Sequence, residues 1–411
     1  MGERHDEERR AREFERELTG NILPFWMTHA VDDANGGLHG AVANDLRVFA
    51  DAPRSAVLCA RVLWTFSAAA RRFPNADYLA MAERTFGVLA DVFWDPEHGG
   101  LYWDVDRDGT PIRDRKHHYA QAFAVYGLSE YHRATGDSRS LDLAKRLFGL
   151  LDAHALDSAH GGYFEGSTRD WRPLDDPRLS ERDVHAPKSM NTMLHLLEAY
   201  ANLLCAWDDE TLRRRLGEMI CVFLDHIVDG ASGHLRLFFD DAWTSLVDMR
   251  SFGHDIEASW LLCEASAVHG NTALRADAER AALVLANGVL RDGLDGDGSL
   301  FTETTSDGDI EPSKDWWPQA EGIVGFYNAY QLTGDGRFAD AAFRCWDTVR
   351  ERFIDRENGD WFKRLGPDGS PDPASPKAGP WDCPYHHGRA CLEMMRRLAP
   401  TGRSGESREE A

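Results

Sequence analysis

Three histidines stand inside runs that otherwise read as apolar helix: His195 in "NTMLHLLEA", His254 in "GHDIEASWLL" and His386 in "WDCPYHHGRACLE". Imidazole is the side chain whose ordinary pKa lets it both take and give a proton near neutrality. A polar ring entering an apolar interior loses hydration, so it persists where a partner or a wet cavity receives it. A single such histidine reads as a hydrogen-bonded core residue; three at corresponding places point to one shared cavity. Other polar residues share their faces. Asn191, His195 and Glu198 are spaced four and three apart, and His254 and Glu257 three apart, so each set lies on one side of a helix. Arg389 and Glu393 follow His386. "RVLWTF" adds Arg61, "HHYAQAF" adds Tyr119, and "KDWWPQAEG" adds Trp316, Trp317 and Glu321. Trp317 and Trp381 adjoin these polar residues, although aromatic residues at helical spacing are as a rule core. Arg61 and Arg389 are expected to pair with Glu257, Glu321 or Glu393, and Asp255 with a neighbouring helix.

Several other chemistries lack their residues. The chain has no H-E-x-x-H, and its adjacent histidine pairs, His117–His118 and His386–His387, diverge on a helix, so no metal site is expected. Neither a phosphate-binding glycine loop nor a G-x-S-x-G elbow is present. A hydrolase with paired carboxylates stays open, because acidic residues are plentiful. A sugar- or protein-binding barrel without catalysis stays open too.

The elements that must position these residues are legible in a repeat. An Asp/Gly turn followed by an aromatic or Leu recurs as "DDANGGLHG", "DPEHGGLYW" and "DSAHGGYFE", then more weakly as "DGASGHLRL", "DGLDGDGSLF" and "DRENGDWF". The glycines at 37, 100, 162, 233, 298 and 359 lie 63, 62, 71, 65 and 61 residues apart. A period of that size marks a repeat architecture. Each interval holds two amphipathic runs with apolar spacing of three and four, as in Leu143, Leu147, Leu150 and Leu151. Twice the runs are joined by "TGD". Six pairs make twelve helices, and the reading is all-α: one (α/α)6-barrel domain over 1–411, its ordered core about 14–398, with short hairpins at one rim. An open solenoid has the same period; six repeats with no polar capping unit favour a closed ring. The inner helices are expected at about 54–72, 117–134, 188–205, 251–268, 316–332 and 386–398.

Composition narrows the class. A formal charge of −23 argues against nucleic acid and anionic membranes as partners. No run approaches eighteen uninterrupted apolar residues, and the first twenty lack an apolar signal region. Seven scattered cysteines without a C-x-x-C fit reduced thiols and a cytoplasmic location. The polar stretch 400–411 is expected to fray.

"GHDIEASWLL", "NTMLHLLEAY", "KDWWPQAE" and "GPWDCPYHHGRACLE" resemble the acylglucosamine 2-epimerase superfamily, and within it the cellobiose 2-epimerases. "ILPFWMTHAVDDANGGLHG" and "RVLWTFSAAARRF" carry the likeness towards the start, so that it runs over roughly 14–398. The resemblance implies an (α/α)6 barrel and no metal or organic cofactor. It implies reversible inversion at C2 of the reducing-end glucose of a β-1,4-linked disaccharide, by a monomer or weak homo-oligomer. A mannose isomerase or an acylglucosamine 2-epimerase is the alternative within the superfamily. The resemblance places the three histidines at His195, His254 and His386, and substrate contacts at Arg61, Tyr119, Asn191, Asp183, Glu257, Trp317 and Trp381. His254 and His386 are expected to move the proton on opposite faces of the opened sugar. His195 and Arg61 are expected to stabilise the enediolate, with Tyr119 and Asn191 in support. Glu257 is expected to orient His254 or to bind a sugar hydroxyl. Two positions depart from the family's usual "WKCPYHNGR": Asp382 stands for the lysine and His387 for the asparagine.

Overall fold

A computed structural model describes residues 2–181 and 183–399; the tail expected over 400–411 lies outside them. The chain opens on α1 (Gly2–Glu17), which passes through one π-helical turn (Leu18–Ile22) into α2 (Leu23–His29), together one outer stave. Inner and outer helices then alternate. They are α3 (Ala56–Arg72) with α4 (Ala76–Val88), α5 (His118–Thr135) with α6 (Ser138–His154), and α7 (Met190–Ala206) with α8 (Glu210–Val222). Next come α9 (Phe252–His269) with α10 (Thr272–Asp292) and α11 (Trp316–Thr333) with α12 (Gly336–Thr348), before the inner α13 (Tyr385–Arg397). Each inner helix packs on the next, and α13 packs on α3, which closes the ring of twelve staves. Two inner seams are tight enough to need glycine. A Cβ on Gly127 or on Gly325 would lie 2.6 Å from the carbonyl oxygen of Ala60 or Ile256 on the adjoining helix.

The "TGD" joints have a simple cause. Gly136 and Gly334 take left-handed φ values of 73° and 72°, ending α5 and α11. Asp137 and Asp335 then cap the following helices, accepting from the amides of Ser140 (2.7 Å) and Arg337 (3.0 Å).

All six expected turns form hairpins, closed by the pairs Val31–Leu38, Trp94–Leu101, Leu156–Tyr163, Val228–Leu235, Leu294–Leu300 and Ile354–Trp361. A second ladder was not expected. The two residues entering most inner helices are extended and pair with the next repeat: Arg54 with Val105, Lys116 with Ser167, Lys188 with Phe239, and Lys314 with Leu365. A bridge between Val42 and Ala378 joins the first repeat to the last. The first four expected inner spans therefore begin one or two residues early, because extended backbone precedes the helix, while the fifth and sixth begin within one residue of α11 and α13.

The turn aspartates clamp these entries. Asp32 accepts from Arg54 (2.7 Å), Asp95 from Lys116 (3.0 Å), Asp157 from Lys188 (2.7 Å), Asp295 from Lys314 (2.5 Å), and Asp355 from Lys377. The fourth repeat differs: His234 lies between Asp255 (2.7 Å) and Asp292 (2.9 Å). Asp255 is thus bound to a rim hairpin, not to a neighbouring inner helix. Five of the six clamps tie the rim hairpins to the starts of inner helices, and the sixth, at Lys377, holds the segment that leads into α13.

Candidate active site

His195 lies on the second turn of α7, His254 on the first turn of α9 and His386 on the first turn of α13, so all three project near the same end of the ring. Trp317, on the first turn of α11, links two of them: its ring centroid is 4.7 Å from that of His254 and 5.5 Å from that of His386. Gly253 makes room, since a Cβ there would meet the Trp317 ring at 2.3 Å. His195 stands across the cavity against Tyr119 (4.9 Å) and Phe123 (4.4 Å).

Each imidazole is held through Nδ1. His386 donates to Glu321 Oε1 (2.7 Å) and His195 to Glu198 Oε1 (2.6 Å), while His254 Nδ1 shares a hydrogen bond with Ser251 Oγ (2.6 Å). Nε2 of His386 and of His195 is thereby left as the basic nitrogen. Burial holds all three below the ordinary imidazole pKa, His254 at about 3 and His386 well below, with Arg61 adding to the depression of each. They rest as neutral bases.

Beneath them Arg389, buried on α13, forks among three carboxylates. Nη1 donates to Glu198 Oε2 (2.6 Å) and to the Tyr385 hydroxyl; Nη2 donates to Glu257 Oε1 (2.6 Å) and Glu321 Oε1 (2.8 Å). Glu321 also accepts from Trp260 (2.9 Å). Burial and the neighbouring Glu321 push Glu257 well above the usual carboxylate range, and its Oε2 has no hydrogen-bond partner among the described residues. Glu257, Glu321 and His386 offer ligand atoms within 4.8 Å of one another, the spacing that a divalent cation needs. Arg389 already supplies the positive charge between these carboxylates.

Arg61 departs from its expected carboxylate pairing. It is 3% exposed, donates to the Tyr119 hydroxyl (2.6 Å) and approaches Cys383 Sγ (3.8 Å), and forms no ion pair among the described residues. Its Nε is buried and unpartnered, as is Oδ1 of Asn191, one turn before His195. A buried guanidinium without a counter-ion is costly on its own and suited to an anion that arrives. Trp381 lies at the mouth, 5.9 Å from Tyr119 and 6.1 Å from Trp103.

Two expected pairings are not made. Glu257 is bonded to Arg389 rather than to His254, whose orientation comes from Ser251 at the helix entry. Glu393 pairs with Arg396 and Arg397 of its own helix rather than with Arg389 or Arg61. His387, where the family usually has asparagine, bonds Asp360 (2.6 Å), which also accepts from Trp26 and Lys363. Asp183, on the loop before α7, accepts from the Ser180 amide (2.9 Å). Ser251 and Tyr385 carry parts of the site that sequence reasoning missed. Ser251 lies three before a histidine on a helix start, a cap-like position that could have signalled it.

The family model of N-acylglucosamine 2-epimerase matches residues 36–390. The chain is 42% identical to a cellobiose 2-epimerase of Bacteroides fragilis over 93% of its own length and 98% of that protein. A curated cellobiose 2-epimerase of Dictyoglomus turgidum is 37% identical over 93% and 97%. The solved structure of cellobiose 2-epimerase from Bacillus thermoamylovorans superimposes with a TM-score of 0.90, at 42% identity, over 94% of this chain and 99% of that one. With the closed helical ring and its histidine-lined mouth, these matches establish that the chain belongs to the N-acylglucosamine 2-epimerase family.

Proposed function

We infer that the protein is a cellobiose 2-epimerase, an isomerase that inverts C2 of the reducing-end glucose of β-1,4-linked disaccharides. Cellobiose becomes glucosyl-mannose, and lactose becomes epilactose. The observation that carries the reading is the pair of neutral imidazoles, His254 and His386, on different helices and joined by one tryptophan face.

Inversion at a single carbon without breaking its skeleton needs a proton taken from one face and another returned to the opposite face. The sugar ring opens first, because the C1 aldehyde is what makes the C2 proton acidic. One of the two histidines takes that proton at its free nitrogen, and the other, having first drawn a proton from solvent, supplies it from across the plane. Each turnover leaves the first histidine protonated and the second free, and exchange with solvent resets the pair. The reverse reaction exchanges their roles. Glu321 backs His386 with a carboxylate, which favours the imidazolium as it forms; Ser251 gives His254 no such charge. Between the two steps, negative charge spreads over O1 and O2 as a cis-enediolate. Arg61 answers that charge together with the Tyr119 hydroxyl, and Asn191 holds a neighbouring oxygen. His195 joins the donors once its Nε2 has taken a proton from a sugar hydroxyl, which Glu198 at Nδ1 favours. Trp317 supplies an apolar face for the reacting ring, and Trp381 one for the distal ring.

Incubation with cellobiose, lactose, mannose and N-acetylglucosamine in heavy water tests the reading. Epimerised disaccharide carrying deuterium at C2 is the expected product. Free glucose would instead identify a hydrolase, and inversion of N-acetylglucosamine alone would move the substrate class. The Trp381→Ala variant should raise KM for cellobiose by about tenfold, as about 1–2 kcal/mol of aromatic contact is lost. The kcat should stay within about threefold; a lowered kcat with KM unchanged would remove Trp381 from the distal subsite.

A further inference from the structure

We propose that Asp382 is a specificity-determining residue whose carboxylate accepts a hydroxyl of the reacting sugar ring; the proposal rests on the sugar-epimerase reading above. The reason is a missing partner. Glu198, Glu257, Glu321 and Asp360 each accept at least one hydrogen bond from a protein donor. Asp382 is half-buried between Trp381 and Cys383, and among the described residues no donor reaches its carboxyl. Its oxygens reach solvent and have no protein donor, so a sugar hydroxyl can take the place of water on them.

Its surroundings place that donor. The charged groups facing Asp382 are Arg61 from α3, Asp315 just before α11, and Lys363 and Asp360 from the segment after α12. Lys363 lies over Trp316 (5.2 Å), and Trp316 is 6.4 Å from His386. Asp382 therefore lies near Arg61, the group that answers the charge of the reacting ring, and its neighbour Trp381 packs near Trp103 and Tyr119. The backbone is shaped around this carboxyl: a Cβ on Gly379 would lie 2.9 Å from Asp382 Oδ2.

The carboxyl also carries its own signature. Burial raises it to about 7, with Asp315 and Asp360 adding to the rise and Lys363 and Arg61 opposing it. The ionised form is the stronger acceptor. Affinity should therefore be full above about pH 7 and weaken as the pH falls through that value.

Asp382→Ala and Asp382→Asn, assayed with cellobiose and lactose from pH 5.5 to 8.5, test the proposal. For Asp382→Ala, KM should rise about tenfold or more at pH 8, with kcat within about threefold. The two sugars differ only in their distal ring, so both KM values should rise by the same factor. In Asp382→Asn the dependence of KM on pH near 7 should vanish. Neither variant should unfold at a lower temperature than the parent, since an unpartnered acid has been removed. An unchanged KM, a KM raised for one sugar only, or a lower unfolding temperature with parental KM would each overturn the assignment. A parent enzyme that epimerises neither sugar would instead fail the functional reading.

Discussion

His254→Asn and His386→Asn should each lower kcat for cellobiose epimerisation by at least about 10²–10⁴ while leaving the fold intact. The two-base arrangement makes a sharper demand than loss of rate. With one imidazole removed, the other still reaches its own face of C2 and still exchanges a proton with solvent. Each variant should therefore wash deuterium from heavy water into one epimer without converting it, and the two variants should do so with opposite epimers. Mass spectrometry of glucosyl-glucose and glucosyl-mannose recovered from each variant reads this directly. Both variants exchanging the same epimer would mean that one histidine serves both faces. The pH response follows from the same geometry. Burial depresses all three imidazoles, so the bases stay neutral, and activity should be retained as the pH falls through the ordinary imidazole range. A loss centred near pH 6.5 would contradict the burial.

The ring was legible because its cause is repetitive. Each turn needs an aspartate and glycines in the same order, and each pair of helices needs the same joint, so "GG" and "TGD" carry the architecture in plain sight. The interrepeat ladder was not legible: Lys116 and Ser167 pair through backbone atoms across 51 residues, and nothing in their side chains declares it. The histidines announced themselves by sitting among leucines and tryptophans. Their partners did not. Glu257 lies one turn from His254 in the sequence, yet it turns to Arg389, because three carboxylates converge there and only the closed ring brings α7, α9 and α11 to one guanidinium. Arg61 misled for the same reason: sequence logic assigns every buried arginine a counter-ion, and a site prepared for a transient anion leaves one out.

That convergence makes Arg389 the residue whose loss should cost most stability. Replacing it by methionine keeps the apolar stem but leaves Glu198, Glu257 and Glu321 facing one another without a cation. Removing one partner of a buried pair typically costs about 3–5 kcal/mol. In a chain of 411 residues that corresponds to a fall in Tm of about 4–6 °C. The sign of the pH dependence separates electrostatics from packing. Without the guanidinium Glu257, already raised by burial, and Glu198, which Arg389 helps to hold low, both move up, so their protonated forms are the tolerated ones. The variant's deficit should be small near pH 5 and grow as the pH rises towards 8, whereas a packing defect would be constant. Arg389→Lys should recover only part of the loss, because a single ammonium cannot fork to three acceptors as two guanidinium nitrogens do. Activity should fall in both variants, since Glu321 can no longer be held while it orients His386. Thermal unfolding at several pH values, run beside kcat, checks all of this. A deficit that does not change with pH would show that Arg389 fills space and that the carboxylates already carry protons of their own.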